Sequence, residues 1–169
     1  MPKPQSIEYP AFFETYIKLV TQEDVLQALK SDSNFDINFF QAIPIEKQEY
    51  RYAEGKWTMK EMLQHIIDTE RIFAYRALVF ARQDKTVLPG FDENLYAANS
   101  SANTREWNQL VEELVAVRHT TIQLFESFVP EAITYKGTAS AKEITVNAIG
   151  FIICGHLLHH KNITMERYL

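Results

Sequence analysis

The stretch TMKEMLQHIIDTERIFAYRALVFARQ, residues 58–83, decides the fold. Its apolar residues recur three, four or seven positions apart, which is the period of a helix with one apolar face. Thr58 is followed three residues later by Glu61, the pattern of a capping box at the start of a helix. We therefore predict a long amphipathic helix that begins at Thr58 and ends near Gln83.

Further segments along the chain also carry helical spacing. Residues 104–130 and residues 141–167 repeat apolar positions with the same period, and a segment over residues 22–43 ends before Pro44. Residues 8–20 predict an additional short helix. We find no convincing strand pattern. The economical architecture is an all-α four-helix bundle with an extra short N-terminal helix.

The connection DKTVLPGFDENLYAANSSAN, residues 84–103, links two of the long predicted helices. It has Pro-Gly near its centre and no sustained period. About twenty residues is long for a loop in a compact domain, and such loops are often functional. We predict a long crossover loop that lets the two neighbouring helices run in the same direction.

The composition indicates one soluble domain. The chain has 169 residues, of which 46% are hydrophobic, enough for a single core over residues 1–169. It has no apolar run of about 18 residues and no secretory signal pattern, so we expect no membrane partner. A formal net charge of −5 argues against nucleic acid as a partner. The single cysteine, Cys154, cannot form an intramolecular disulfide, which fits a cytoplasmic protein.

The segment GHLLHHKNI, residues 155–163, concentrates the histidines. His156 and His160 are four residues apart, so on a helix they project from one face within an isoleucine-rich stripe. His65 lies on an inward face of the long helix over residues 58–83. Three such imidazoles could bind one divalent ion, such as Zn, Ni, Fe or Mn, and leave coordination positions open for water or substrate.

A hydrogen-bonded core histidine is the alternative at each of these positions, because HxxxH is a weak pattern that helices carry by chance. Leu157 follows His156, so the segment is not the HExxH motif of zinc proteases and provides no glutamate base at that position. Peptidase chemistry is therefore disfavoured.

The remaining histidines and the cysteine are not predicted to be metal ligands. His159 lies about 60° from His156 around the helix, so it could orient a ligand or line the pocket, but we expect a surface or interface histidine. His119 is predicted to be a surface residue. Cys154 projects away from the His156 direction, and we expect it to pack elsewhere rather than act as a nucleophile.

Two carboxylates flank His65 on the long helix. Asp68 or Glu70 could accept a hydrogen bond from the imidazole and fix its tautomer. Charge pairs with Arg71 explain the same two residues as well. The sequence leaves both interpretations open.

Longer motifs around these histidines resemble a known family. GKWTMKEMLQHIIDTERIFAYRALVFARQDKTVLPGFDENLYAAN, residues 55–99, resembles the histidine helix and LPGFD loop of the DinB-like, or DinB/YfiT-like, family. GHLLHHKNITMERYL, residues 155–169, resembles its H-x-x-H-H helix. The resemblance implies a metal-dependent four-helix bundle whose ligands fall on His65, His156 and His160, the triad that helical spacing also indicates.

The resemblance also implies a reaction. The family is associated with thiol transferases that use low-molecular-weight thiols such as bacillithiol, so a metal-dependent thiol S-transferase is our leading expectation. In that case the loop residues Phe91, Asp92 and Tyr96 would line the pocket for a small-molecule electrophile. A metal-dependent hydrolase is the nearer alternative.

A non-enzymatic role is the second class of function. Phe151 and Leu158 lie on the reverse face of the last predicted helix, which is therefore apolar on two sides. That helix is either deeply buried or part of a homodimer interface, and we expect a homodimer. A dimeric module of this kind could use its metal structurally or as a sensor.

Overall fold

The computed structural model describes residues 2–31 and 35–169, which are mostly helical, as predicted. Within these ranges no helix combines the length and hydrophobicity needed to cross a bilayer. The helices in chain order are α1 (Glu14–Ile17), α2 (Val25–Lys30), α3 (Ile37–Gln41), α4 (Ile45–Gln48), α5 (Met59–Ala81), α6 (Glu93–Asn99), α7 (Trp107–Glu126) and α8 (Val146–Ile163). The strands β1 (Lys136–Ala139) and β2 (Lys142–Thr145) precede α8. Short 3-10 turns lie at Ala11–Phe13, Ala102–Thr104 and Pro130–Thr134, and a π-helical turn at Thr164–Tyr168.

Helix α5 confirms the prediction made from the capping box. The Thr58 side chain accepts a hydrogen bond from the Glu61 amide at 3.0 Å, and the Glu61 carboxylate accepts one from the Thr58 amide at 2.8 Å. This reciprocal pair satisfies two of the amides that the start of a helix leaves free. The helix ends at Ala81, and Gln83 then adopts a left-handed backbone conformation with φ of 57°.

The relative direction of α5 and α7 confirms the predicted crossover. Arg105, just before α7, donates a hydrogen bond to Gln64 near the start of α5, and further along both helices Arg71 donates one to Glu113. Residue numbers therefore rise together, so the two helices are parallel. The contacts of α5 with α8 run in the opposite order, so those helices are antiparallel.

The crossover over residues 84–103 contains more regular structure than the sequence predicts. It includes α6, which begins where the Asp92 side chain accepts hydrogen bonds from two amides of the first turn. Before α6, Leu88 exchanges backbone hydrogen bonds with the hairpin. The sequence did not predict α6 because it has seven residues, of which Ala97 is buried, too few for an apolar period to show.

The prediction of one continuous helix over residues 22–43 is wrong. The structure has α2 and α3 in that range, and residues 32–34 lie outside the described part. Asp24 and Asp36 each accept hydrogen bonds from amides that follow them, so helix formation starts twice. Helix α2 packs against α7 and α8, and α3 packs against α7. These two short helices therefore occupy the fourth position of the bundle.

The prediction of a last helix from about Ala141, without strands, is also wrong. Residues 136–145 form an antiparallel hairpin whose two-residue turn places Ser140 and Ala141 at φ of 53° and 60°. Positive φ at both turn residues matches the twist of paired strands. Helix α8 begins at Val146, where the Thr145 side chain caps it. Strands of four residues leave too little alternation for the sequence to show.

The predicted N-terminal helix over residues 8–20 is shorter, with helical turns over residues 11–17. These turns lie against α8 at Gly155, where a Cβ atom would be 2.1 Å from the Tyr16 carbonyl oxygen. Only glycine allows so close an approach of two backbones. As a result, the Tyr16 ring lies 5.5 Å from the His156 ring, between centroids.

Two hydrophobic clusters lie within the bundle, and polar side chains separate them along each long helix. One cluster contains the C-terminal part of α5 and the N-terminal part of α8, and the other contains the N-terminal parts of α5 and α7. We refer to the buried polar residues between the clusters as the polar layer. Its members are Thr69, Glu70, Arg118, Thr121 and His156.

Candidate metal centre

The structure brings together the three histidines that the sequence singled out. His65 on α5 and His160 on α8 each place Nε2 next to Nε2 of His156, at 3.0 Å and 3.1 Å. All three ligand atoms lie within 4.8 Å of one another. The i, i+4 spacing on α8 places two rings one turn apart, and the antiparallel α5 supplies the third. The role of the triad as metal ligands stays a prediction.

Hydrogen bonding alone does not account for this convergence. An imidazole nitrogen has either one proton or one lone pair, so Nε2 of His156 cannot form good hydrogen bonds to both neighbours at once. A divalent cation accepts all three lone pairs together. Metal–nitrogen distances of about 2.1 Å place ligand nitrogens about 3.0 to 3.4 Å apart, close to the two spacings observed around His156. The nitrogen atoms therefore fit a bound ion.

Burial keeps the three imidazoles in the neutral form that a metal needs. Burial lowers the pKa of His65 from 6.5 to about 4. It also lowers the pKa values of His156 and His160 well below the ordinary value, and the neighbouring histidines lower them further. Near pH 7 the triad is therefore uncharged, and its lone pairs are available.

The second ring nitrogens of the triad have few partners. Nδ1 of His65 lies 3.5 Å from the hydroxyl oxygen of Thr69, one turn along α5. Nδ1 of His160 is buried and has no hydrogen-bond partner in the part of the chain that the structure describes. Thr69 is thus the side chain best placed to orient a ligand of the triad.

The two carboxylates considered as partners of His65 have other partners. Asp68 accepts a hydrogen bond from Gln64 at 2.9 Å. Glu70 points into the polar layer, where both its oxygens accept hydrogen bonds from Arg118, at 2.8 Å and 2.9 Å. The predicted charge pair with Arg71 is present for Asp68, at 3.9 Å. It is wrong for Glu70, whose partner is Arg118 on α7.

The triad faces a cavity of about 320 Å³ with largely aromatic walls. Tyr16 and Trp57 lie beside it, and the Trp57 ring is 4.7 Å from the His65 ring. Outside the triad, the cavity is lined by the aromatic rings of Phe12, Phe13, Tyr16, Trp57, Phe73 and Phe91, together with Arg76, Glu93, Ser140 and His159. Arg76 and Tyr16 were not singled out from the sequence, although Arg76 lies on the same helical face as His65.

Three loop residues were predicted to line this cavity, and only Phe91 does so. Asp92 instead caps α6, and Tyr96 packs on Phe91 with ring centroids 5.3 Å apart and lines a separate surface cleft with Asp68. The reason is α6 itself, because a helical turn after Asp92 carries Tyr96 to another side of the element.

A second cavity, of about 230 Å³, reaches the triad from another side. His160 and Trp57 line both cavities, so the two spaces meet at the candidate metal centre. Tyr52, Asn94 and Tyr168 contribute other parts of the second wall. Both cavities therefore border the candidate metal centre.

His119 and Cys154 lie where the sequence predicts, whereas His159, for which a surface or interface position was expected, lines the cavity. His159 is half-buried, lines the larger cavity and is not part of the triad, and its ring lies 5.1 Å from the ring of Tyr16. His119 is exposed. Cys154 is fully buried on α8, where burial raises the pKa of its thiol to about 12.

A match to a known protein family identifies the superfamily to which the chain belongs. The sequence profile of the DinB superfamily matches residues 37–163, which is most of the chain. The chain belongs to the DinB superfamily. This confirms the resemblance that the motifs around His65 and His156 indicated. No curated protein sequence matches the chain.

Two solved structures share the fold. YfiT from Bacillus subtilis, described as a probable metal-dependent hydrolase with an unusual four-helix bundle topology, aligns with a TM-score of 0.72 and 13% identity over 97% of this chain and 90% of its own. A DinB-like protein from the same organism, YjoA, aligns with a TM-score of 0.57 and 18% identity over 83% of this chain and 86% of its own. At these identities the likeness establishes the four-helix-bundle fold alone.

Proposed function

We propose that this member of the DinB superfamily is an enzyme that depends on one divalent metal ion held by His65, His156 and His160. The observation that carries the proposal is the convergence of the triad beside a cavity of about 320 Å³. Three protein ligands leave coordination positions open, which is typical of catalytic rather than structural sites. Zn, Ni, Fe and Mn all accept imidazole nitrogen, and each remains a candidate.

The protein positions the three imidazoles and limits the access of water to the site. Helices α5 and α8 hold the imidazoles rigidly, and the aromatic walls reduce access of bulk water to the site. A divalent ion, when bound, lowers the pKa of a coordinated thiol or water and polarises a carbonyl group. His159 lines the cavity beside the triad, and burial lowers its pKa, so its neutral ring can accept a proton.

Thiol S-transfer is the leading reaction. Two cavities meet at His160 and Trp57, which provides space for both a thiol and an electrophile. The thiol has to be a small molecule, because Cys154 is buried and its pKa is about 12. The thiol sulfur would bond to the electrophilic carbon, the bond from that carbon to its leaving group would break, and the thiol proton would pass to His159.

Hydrolysis is the second candidate reaction. His159 would accept a proton from water as the water oxygen bonds to a carbonyl carbon, and it would pass that proton to the alkoxide oxygen that leaves when the ester bond breaks. The description of YfiT as a probable metal-dependent hydrolase supports this candidate. In both cases the substrate is a small molecule, and neither reaction requires nucleic acid or a membrane.

The non-enzymatic alternative has less support. Among the described residues, the cluster able to hold a metal consists of three histidines and contains no fourth ligand to close the coordination shell. On the reverse face of α8, Phe151 is buried and Leu158 is partly buried against the same hydrophobic cluster, so the two-sided apolar pattern does not require a partner. The homodimer and the cytoplasmic location stay predictions.

A paired assay separates the two reactions. Metal-loaded protein is given an activated aryl chloride with cysteine, glutathione or bacillithiol, and separately a nitrophenyl ester without thiol. We expect thiol-dependent aryl transfer that His156→Ala abolishes and His119→Ala, at an exposed histidine, leaves unchanged. Ester cleavage without aryl transfer would favour the hydrolase, and no metal-dependent rate in either assay would contradict the enzymatic proposal.

A further inference from the structure

Arg76 lies on the face of α5 that carries His65. It comes eleven residues after His65, which places it about 20° away around the helix axis and about 16 Å along it. Side chains on a helix slope toward its N-terminus, so the guanidinium extends from Arg76 in the direction of the triad. The residue is only 5% exposed, and it lines the same cavity as the triad.

No carboxylate among the described residues pairs with the guanidinium of Arg76, and Glu93 lines the same cavity without forming an ion pair with it. Its Nη2 donates to the Pro89 carbonyl oxygen at 3.1 Å and to the Ser140 hydroxyl at 3.2 Å, and both acceptors are neutral. Its Nε and Nη1 make no hydrogen bond to a residue that the structure describes. A guanidinium has five N–H donors, and buried charges are normally paired. The positive charge of Arg76 and its remaining donors are therefore available to a ligand.

Aromatic rings hold this cation without neutralising it. The guanidinium carbon lies 5.0 Å from the ring centre of Phe73 and 5.9 Å from that of Phe91. Such contacts fix the plane of the guanidinium and offset part of its desolvation. Burial still lowers the pKa of Arg76, as expected for a cation without a counter-charge.

Arg76 also lies where the main cavity meets another. A cavity of about 140 Å³ shares five lining residues with the cavity at the triad, namely Phe12, Phe13, Phe73, Arg76 and Ser140. Its walls are otherwise mainly apolar, and the exposed Lys142 lies at its edge. A ligand that extends from the triad along the aromatic wall would therefore reach the guanidinium with its far end.

We propose that Arg76 binds the carboxylate of a small organic acid whose middle is apolar and whose other end reaches the metal centre. The part concerning the metal centre rests on the function proposed above, whereas the part concerning Arg76 does not. One buried cation is neutralised by a monoanion, and the planar guanidinium pairs well with a planar carboxylate. The substrate class is thus monocarboxylic, and Arg76 is its specificity-determining residue.

Calorimetric titration with matched ligands tests the proposal. Metal-loaded protein is titrated with ω-mercaptocarboxylates of increasing chain length and with ω-mercaptoalcohols of the same lengths. We expect one chain length at which the acid binds about 10- to 100-fold more tightly than the alcohol, as a hydrogen bond between charged groups provides. In Arg76→Gln this preference should vanish while the alcohols bind as before.

Two further variants keep the result interpretable. Arg76→Lys retains the charge without the planar fork and should retain part of the preference. Arg82→Gln removes an exposed arginine at the end of α5 that does not line the cavity, and it should behave as the parent. Equal affinities for acid and alcohol in the parent, or a preference that persists in Arg76→Gln, would overturn the proposal.

Metal-free protein separates this proposal from the proposed function. There, simple aliphatic carboxylates are compared with matched alcohols, which requires no metal centre. A preference for the carboxylate that Arg76→Gln removes would support the Arg76 site even if the triad proved unable to bind a metal. Absence of that preference in metal-free and metal-loaded protein alike would refute the site while leaving the metal centre intact.

Discussion

Two groups of buried polar side chains lie close together in the bundle, and they differ in how they are satisfied. Glu70 and Arg118, 3% and 2% exposed, form a two-pronged ion pair at 2.8 Å and 2.9 Å. The triad of His65, His156 and His160 instead directs three nitrogens at one another. A buried pair whose charges neutralise each other maintains the fold, although Nη1 of Arg118 has no hydrogen-bond partner among the described residues. Three imidazole nitrogens that cannot all hydrogen-bond to one another are instead arranged for something that binds there.

Arg76 resembles the triad rather than the Glu70–Arg118 pair, because the described residues do not neutralise its charge. It is nearly as buried as Arg118, yet no described carboxylate pairs with it. Arg118 on α7 is therefore a structural residue, and Arg76 on the neighbouring α5 is a candidate ligand-binding residue. The predictions below test this division, beginning with the variant that should have the largest effect.

Disruption of the satisfied pair should have the largest effect on stability. Glu70→Gln leaves the Arg118 guanidinium buried without a counter-charge, and we expect the free energy of unfolding to fall by about 3 to 5 kcal/mol. Urea denaturation followed by circular dichroism measures this change. Glu112→Gln, at an exposed position of α7, is the control and should be nearly neutral. A loss of less than about 1 kcal/mol for Glu70→Gln would contradict the structural role of the pair.

Binding of a metal ion to the histidine triad should raise the free energy of unfolding, by less than the loss expected for Glu70→Gln. Free metal at about 100 times its Kd should raise the free energy of unfolding by about 2.7 kcal/mol, because the ion binds the folded triad. Unfolding with and without metal measures the gain. His65→Ala, His156→Ala and His160→Ala should each lose it, and His119→Ala should keep it. The same gain in the three triad variants would place the metal elsewhere.

Acid should destabilise the metal-free protein through the triad. The folded pKa of His65, about 4, lies below its unfolded value of 6.5, so the unfolded chain takes up the proton first as the pH falls. Stability present above pH about 6.5 is therefore lost toward pH 4, by about 2 kcal/mol between pH 7 and pH 5 for this residue. Denaturation of parent and His65→Ala at several pH values isolates this contribution, and parallel pH profiles would refute it.

Cys154 should give the smallest effect, because its buried thiol belongs to the core and not to the site. With its pKa raised to about 12 by burial, the thiol should resist alkylation by iodoacetamide at pH 8 until the protein unfolds. Cys154→Ala should lower the free energy of unfolding by about 1 kcal/mol and leave metal content unchanged. Rapid alkylation of the folded protein, read by mass spectrometry, would place the thiol at an accessible position.

Sequence reasoning succeeded where a long period or a local motif carried the information. Thr58 and Glu61 located the start of α5, and the i, i+4 spacing of His156 and His160 with His65 on a second helix located the triad. It failed for the hairpin and for the break between α2 and α3, because elements of four to six residues carry no measurable period. These elements form where local capping and turn residues outweigh weak helical periodicity.

The contacts that depend on packing between segments far apart in the sequence could not be predicted either. Tyr16 contacts His156 only because Gly155 lets two backbones approach, and nothing in the sequence around Tyr16 indicates this. The partner of Glu70 proved to be Arg118, on a different helix, rather than the adjacent Arg71. Periodicity specifies the face of a helix that is buried, but the neighbour that it meets depends on the tertiary fold.

Metal content per chain, measured by plasma mass spectrometry on protein without a histidine tag, shows whether the triad binds a metal ion. We expect near-stoichiometric divalent metal in the parent and in His119→Ala, and its loss in His65→Ala, His156→Ala and His160→Ala, each confirmed as folded by circular dichroism. A parent that stays metal-free after reconstitution, or triad variants that retain the metal, would contradict the assignment of the three histidines as a metal centre.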